Sequence, residues 1–314
     1  VTTPVVAGSQ GLKEQKEQQG PEWSELPRLS QAGGLELAAR RVVEGLYAGR
    51  HRSPFHGPAV EFADHRPYQA GDDLRSVDWK VLARSDHLLV RRYREERDLP
   101  LTVVLDTSAS MAYGEPTKHR WAMIAAAALG WLAVEQGDRV RLIAGAERTA
   151  TWSAEFGGPS ALPQMLSALS ALTWQGAGDL PRLLTDLGQR LRRRAALVVF
   201  SDLLTDVAAF ARPLGALAAR GHDVALVQVL DRSEVDLPAT WGAARLIDPE
   251  GRHTDVACDA AAAKVGYDAL MHDHVQQCRR VAAGCRADHV LAVTDQDAAD
   301  VLGAWLHRRQ GRAC

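Results

Sequence analysis

The sequence predicts an α/β fold, a doubly wound and mostly parallel sheet preceded by an N-terminal elaboration. From Leu101 onward, short β-rich apolar runs alternate with helix-length segments, the pattern of a parallel sheet covered on both faces. The longest apolar run, Trp121 to Val134, has fourteen residues, too few for the ~20 that span a bilayer but suited to a helix buried on all sides. With 314 residues, 46% hydrophobic and 24% charged, the chain has the composition of a globular protein and can bury a substantial core.

In chain order, residues 1–30 hold Gln, Glu, Lys, Gly and Pro with almost nothing to bury and are expected to be a flexible tail. Residues 31–100 form a separate segment expected to pack on the sheet. It opens with a helix-like pattern (Leu35, Leu37, Ala38, Val42, Val43, Leu46) and ends in an alternating strand from Leu88. Residues 101–314 make the α/β domain. Its strands are predicted at Leu101–Leu105, Val140–Ile143, Ala195–Phe200, Val224–Leu230 and His289–Thr294. Helices fall at about 119–136, 160–172, 180–193, 205–220, 259–283 and 296–308, with Gly137-Asp138 and Gly221-His222 as stops. Pro249-Glu250-Gly251 predicts a hairpin within Arg245–Val256.

The net charge of −2 gives no global electrostatic case for nucleic acid. Basic charge is carried mostly by Arg, with lysine only at 13, 16, 80, 118 and 264. Cys258, Cys278, Cys285 and Cys314 form no C-x-x-C pair, which excludes a zinc ribbon and a thioredoxin motif and favours a reducing compartment. No apolar stretch follows a basic N-terminal start, so a cytoplasmic chain without a membrane span is expected.

Open parallel sheets bind ligands at the carboxyl ends of their strands, and three of these ends are acidic: Asp106, Ser201-Asp202 and Asp295. Asp106-x-Ser108-x-Ser110 gathers one carboxylate and two hydroxyls in one loop, hard oxygen ligands suited to Mg²⁺ or Mn²⁺. Asp202 can add a carboxylate from a neighbouring strand. The bland alternative has Ser108 and Ser110 capping the next helix and Asp106 accepting backbone N–H groups in the turn. The arrangement resembles the metal-ion-dependent adhesion site (MIDAS) of von Willebrand factor A-like domains. In those domains the serines contact the metal, the aspartates act largely through water, and a second loop supplies a threonine. Gly178 stands where the resemblance places that threonine, and Asp179 is the neighbouring candidate to compensate.

The stretch before the first strand extends the resemblance. It contains Glu61-Phe62, Arg66-Pro-Tyr68, Gly71-Asp72-Asp73-Leu-Arg75, Asp78-Trp79 and Ala83-Arg84, followed by Tyr93-Arg-Glu95-Glu96. This is similar to the signature of the bacterial and archaeal family known only as domain of unknown function 58, which precedes a von Willebrand A-like domain. The match covers about residues 30 to 300. The resemblance implies a partner, a MoxR-type AAA+ ATPase, and a client protein that the pair assembles, activates or loads with metal in a chaperone-like way. It also implies the branch of the family without membrane helices. From the residues themselves, Arg66, Arg75 and Arg84 can each fork two bonds to carboxylates such as Asp72, Asp73 or Asp78, with Tyr68 and Trp79 as anchors. Such a stretch is either a partner-docking surface or a structural clasp.

Other clusters are weaker. His274 and Cys278 share a helical face, but Cys285 lies about 16 Å further along a straight helix, and buried cysteine beside exposed histidine is the simpler reading. Arg192-Arg193-Arg194 falls at a predicted helix C-terminus, where cations favour the dipole. G-x-S-x-G, H-E-x-x-H and G-x-x-x-x-G-K-[ST] are all absent. The expected function is non-enzymatic protein–protein interaction through a metal-ion-dependent site. The alternatives are a Mg²⁺-dependent phosphatase with Asp106 as nucleophile and a structural scaffold. Ser108 stands where such a phosphatase needs a second aspartate.

Overall fold

A computed structural model describes residues 5–6, 31–48, 60–69, 77–85, 88–95, 99–146 and 149–310. Ahead of the main sheet come β1 (Val5–Val6), α1 (Gln31–Ala48), β2 (Val60–Pro67), α2 (Trp79–Ser85) and β3 (Leu89–Glu95). The next elements are β4 (Leu101–Asp106), a 3-10 turn at Ala109–Ala112, α3 (Lys118–Glu135), β5 (Val140–Ala146), β6 (Thr149–Phe156), α4 (Ala161–Ser170) and α5 (Leu180–Arg190). After these follow β7 (Ala196–Ser201), α6 (Val207–Ala219), β8 (Asp223–Leu230), α7 (Arg232–Val235), β9 (Ala243–Ile247) and β10 (Val256–Asp259). The chain closes with α8 (Ala260–Gly284), β11 (Asp288–Val293) and α9 (Ala298–Gln310).

Six strands form the main sheet in the order β11-β8-β7-β4-β5-β6. All pairs are parallel except β5 with β6. In chain order this reads sixth-fifth-fourth-first-second-third, the doubly wound arrangement, and the winding reverses between β4 and β7. Every residue of β4 and β7 is buried. The strand period of two then sorts their side chains to opposite faces. Leu101, Val103, Leu105, Ala196, Val198 and Phe200 meet α1, α3, α4 and α9, while Val104, Leu197 and Val199 meet α5, α6 and α8. Gly137 and Gly221 adopt φ of +84° and +82° where α3 and α6 end, a conformation that favours glycine.

The five strands and six helices expected after Leu101 are present within a few residues of their predicted ends, and the hairpin forms between β9 and β10. β6 is an addition the sequence analysis did not contain. Before Leu101, α1 forms where its apolar pattern places it. It packs on α3, α9 and α4 in the helical layer rather than on the sheet, because Leu35, Ala38, Val42, Val43 and Leu46 line one face. β2 and β3 pair antiparallel, with Arg66 opposite Val90. Among the described residues no helix is long and apolar enough to cross a membrane.

Candidate functional site

The reversal point between β4 and β7 gathers the residues singled out by sequence. Asp106 ends β4 and begins a turn in which its Oδ1 accepts the Ser108 N–H at 3.0 Å. Its Oδ2 accepts the Ser201 hydroxyl from the end of β7 at 2.7 Å. The Ser108 and Ser110 hydroxyls lie 3.0 Å apart. Asp106, Ser108, Ser110 and Asp202 are all buried. Ser108 is the N-cap of the 3-10 turn by position, yet its hydroxyl caps nothing, so the bland reading of this serine fails. Backbone bonds from Ala109 N to Gly176 O and from Gln175 N to Thr107 O, both 2.9 Å, fasten this loop to the loop before α5.

Asp202 is delivered by a strained turn. Leu203, fully buried, has φ +55°, a left-handed conformation costly for a bulky side chain. The turn is held from several directions: Leu203 N donates to Ser201 Oγ at 3.1 Å, Leu204 N to Asp202 Oδ1 at 3.2 Å, and Gln228 Nε2 to the Asp202 carbonyl at 3.0 Å. The Leu203 carbonyl also meets His274 Nε2 at 2.9 Å.

The structure adds Lys118, which sequence reasoning missed. Its ammonium is completely buried at the start of α3, 2.8 Å from Asp202 Oδ2 and 2.7 Å from Glu234 Oε1 of α7. Burial pulls the lysine's pKa down, but the two carboxylates outweigh it and hold the ammonium charged. Burial likewise pushes Asp202 up, and Lys118 brings it below the ordinary carboxylate range. Asp106 has no such relief. Burial raises its pKa, and repulsion from Asp202 raises it further, only partly offset by bonds from Ser201 and Ser108.

A fourth carboxylate, Glu250, reaches the site from the turn between β9 and β10. Burial raises its pKa, and the charges of Asp202 and Asp106 raise it further. Against these carboxylates, Lys118 pairs with Asp202 and Glu234, and Arg252 pairs with Glu250, while Asp106 has no ion pair among the described residues. Hard oxygens, a pair of adjacent hydroxyls and an unneutralised buried carboxylate suit a divalent hard cation. Among the described residues no group of three or more His, Cys, Asp or Glu is spaced to hold a metal, so any such ion depends on the serine hydroxyls.

Several expected residues stand elsewhere. Asp179, beside Gly178, is the N-cap of α5, its carboxylate accepting the Arg182 N–H at 3.1 Å. Asp295 lies beyond β11 at the sheet's edge and pairs with Arg232 at 2.7 Å. His274 is buried rather than exposed, because it bonds the Leu203 carbonyl; its Nε2 also lies 3.6 Å from Cys278 Sγ. Trp79 begins α2 and is 57% exposed, while Val77 and Asp78 are buried. Tyr68 is half-buried and Arg84 exposed. Asp78 is buried and its Oδ1 accepts the Val81 N–H at 3.3 Å. Asp72, Asp73 and Arg75, and the side chain of Arg66, lie outside the described residues.

The family model described as "Protein of unknown function DUF58" matches residues 64–277. Uncharacterized proteins of Mycobacterium bovis and Mycobacterium tuberculosis are 33% identical over 303 residues, covering 91% of this chain and 91% of each of theirs. Among solved structures, an aerotolerance-related membrane protein from Bacteroides fragilis aligns with a TM-score of 0.41 at 14% identity, over 67% of this chain and 99% of that one. The SpRpn10 VWA domain aligns with a TM-score of 0.39 at 13% identity, over 65% of this chain and 94% of that one.

Proposed function

This chain belongs to the DUF58 family, and from that premise we propose that it is a non-enzymatic protein-interaction module working through a divalent cation at the β4–β7 reversal. The observation that carries the reading is Asp106, a buried carboxylate at a strand end with the paired Ser108 and Ser110 hydroxyls in the same loop. Asp106, Ser108 and Ser110 would hold the Mg²⁺ or Mn²⁺, with Asp202, already bonded to the buried Lys118 ammonium, acting through water as the family resemblance implies. When bound, the ion supplies an electrostatic anchor for a carboxylate of a partner protein. The chain's own residues supply the rest. Lys118 fixes Asp202, and the strained Leu203 turn holds that carboxylate without mobile side chains. The family resemblance supplies the partners in this reading, a MoxR-type AAA+ ATPase and its client, in the cytoplasm.

Calorimetric titration of Mg²⁺ and Mn²⁺ into metal-free protein tests the site: saturable binding is expected for the wild type and not for Asp106→Ala. Capture of the chain with the AAA+ ATPase under nucleotide-trapping conditions tests the partner, and no capture would overturn that part. A phosphatase would instead hydrolyse a generic phosphate ester with Mg²⁺ and lose that turnover in Asp106→Asn. None is expected, because Ser108 stands where such a phosphatase needs a second aspartate and cannot act as general acid.

A further inference from the structure

Resting on that reading, we propose that Glu250 is a further ligand of the cation site, brought in by the β9–β10 hairpin, so that metal binding locks the hairpin over the reversal point. The argument begins with the turn. Asp248 accepts the N–H groups of Glu250, Arg252 and His253, each at 2.9 Å, and Gly251 takes φ +68°, which fixes the tip without help from the main sheet. β10 and β9 belong to a separate small sheet, so the hairpin is held to the site by its tip.

That tip grips one residue from two sides. The Gly178 carbonyl accepts from the Arg252 guanidinium, and the Glu250 carboxylate lies against the open side of the same glycine. Arg252 in turn pairs with Glu250 at 3.4 Å. Gly178 has no side chain, and the space it leaves is bounded by the two groups that matter. A Cβ built there would lie 3.3 Å from Glu250 Oε1 and 3.5 Å from Ser108 Oγ. A carboxylate oxygen from the hairpin and a hydroxyl from the Asp106 loop therefore converge on one small volume. The Glu250 side chain is only 16% exposed, so it is turned in toward this volume. A cation held by Asp106 and the two serine hydroxyls would stabilise a carboxylate turned in at this point.

The test uses the whole chain with Mg²⁺ and Mn²⁺ as probes, comparing wild type, Glu250→Gln and Asp106→Ala by calorimetry. Glu250→Gln keeps the shape of the side chain, and equal thermal unfolding without metal shows that it is folded. Its affinity is expected to fall at least tenfold, while Asp106→Ala abolishes binding. A second readout is trypsin cleavage after Arg252, whose side chain is 45% exposed. Saturating Mn²⁺ should slow that cleavage several-fold in the wild type and not in Glu250→Gln. Unchanged affinity and unchanged protection in Glu250→Gln, with loss in Asp106→Ala, would overturn the role of Glu250 and leave the cation site standing. No binding by the wild type would overturn both.

Discussion

Lys118 is the residue on which the candidate site's electrostatics turn. Two carboxylates, Asp202 and Glu234, are buried against its ammonium, and neither can be hydrated if that charge is removed. Lys118→Met is therefore expected to cost about 3–5 kcal/mol in urea denaturation, the penalty for breaking a buried pair by removing one partner. Adding Glu234→Gln should recover part of that loss by removing one stranded charge. A Lys118→Met loss under about 1 kcal/mol would mean that water reaches the pair. The sequence could not reveal this pair. Lys118 and Glu234 are 116 residues apart, and a lysine at the start of an apolar helix reads as a solvated end. The one available signal was compositional: in a chain that uses Arg for most basic positions, lysine appears only five times. Asp106, Ser108, Ser110 and Asp202 were legible because they follow buried strands directly, so strand-end logic locates them without knowing any long-range contact.

Among the elements, α1 offers a matched test of how the N-terminal segment docks. Two of its three glycines meet opposite surroundings: a Cβ at Gly34 would touch nothing within 4 Å, whereas one at Gly45 would lie 2.9 Å from Ala299 Cβ of α9. Gly34→Ala is expected to stabilise by about 0.5–1 kcal/mol through helix propensity. Gly45→Ala should destabilise by about 1–3 kcal/mol, because a Cβ held by the backbone cannot swing aside and the helices must separate. Thermal unfolding of both variants gives the signs. Two increases would mean that α1 is not docked on α9. The element the sequence concealed was β6, and the cause is visible in its residues. It is the antiparallel edge strand, and between residues 150 and 156 only Phe156 is buried, so it has no apolar run to announce it. The hairpin announced itself through Pro249-Glu250-Gly251, but its destination did not, because Glu250 and Arg252 meet Gly178 more than seventy residues away.

Across the whole molecule, acid sensitivity should report how the second helical layer closes over the sheet. His222 before β8, His274 in α8 and His289 in β11 all have lowered pKa values, burial being the main cause in each. His289 is pushed furthest, to about 4, with Arg279 and His274 adding repulsion. Its Nε2 meets Gln228 Oε1 at 2.9 Å, and Gln228 carries the contact on to the Asp202 carbonyl at 3.0 Å. A histidine whose folded pKa is depressed leaves the unfolded chain binding more protons between that value and the ordinary 6.5. Its contribution is therefore complete above about pH 6.5 and is lost as pH falls toward about 4, at up to ~1.4 kcal/mol per pH unit for one proton. Raised carboxyls such as Asp106 and Glu234 pull stability the other way over part of this range, so the absolute curve mixes both. The difference between wild type and His289→Gln separates them, because glutamine keeps a donor for Gln228 but takes up no proton. Urea denaturation at pH 7, 6 and 5 should show the wild type losing ground to His289→Gln at each step down. Parallel curves would mean that the imidazole is hydrated in the folded protein, and that the Gln228 link to the Asp202 turn is open to solvent.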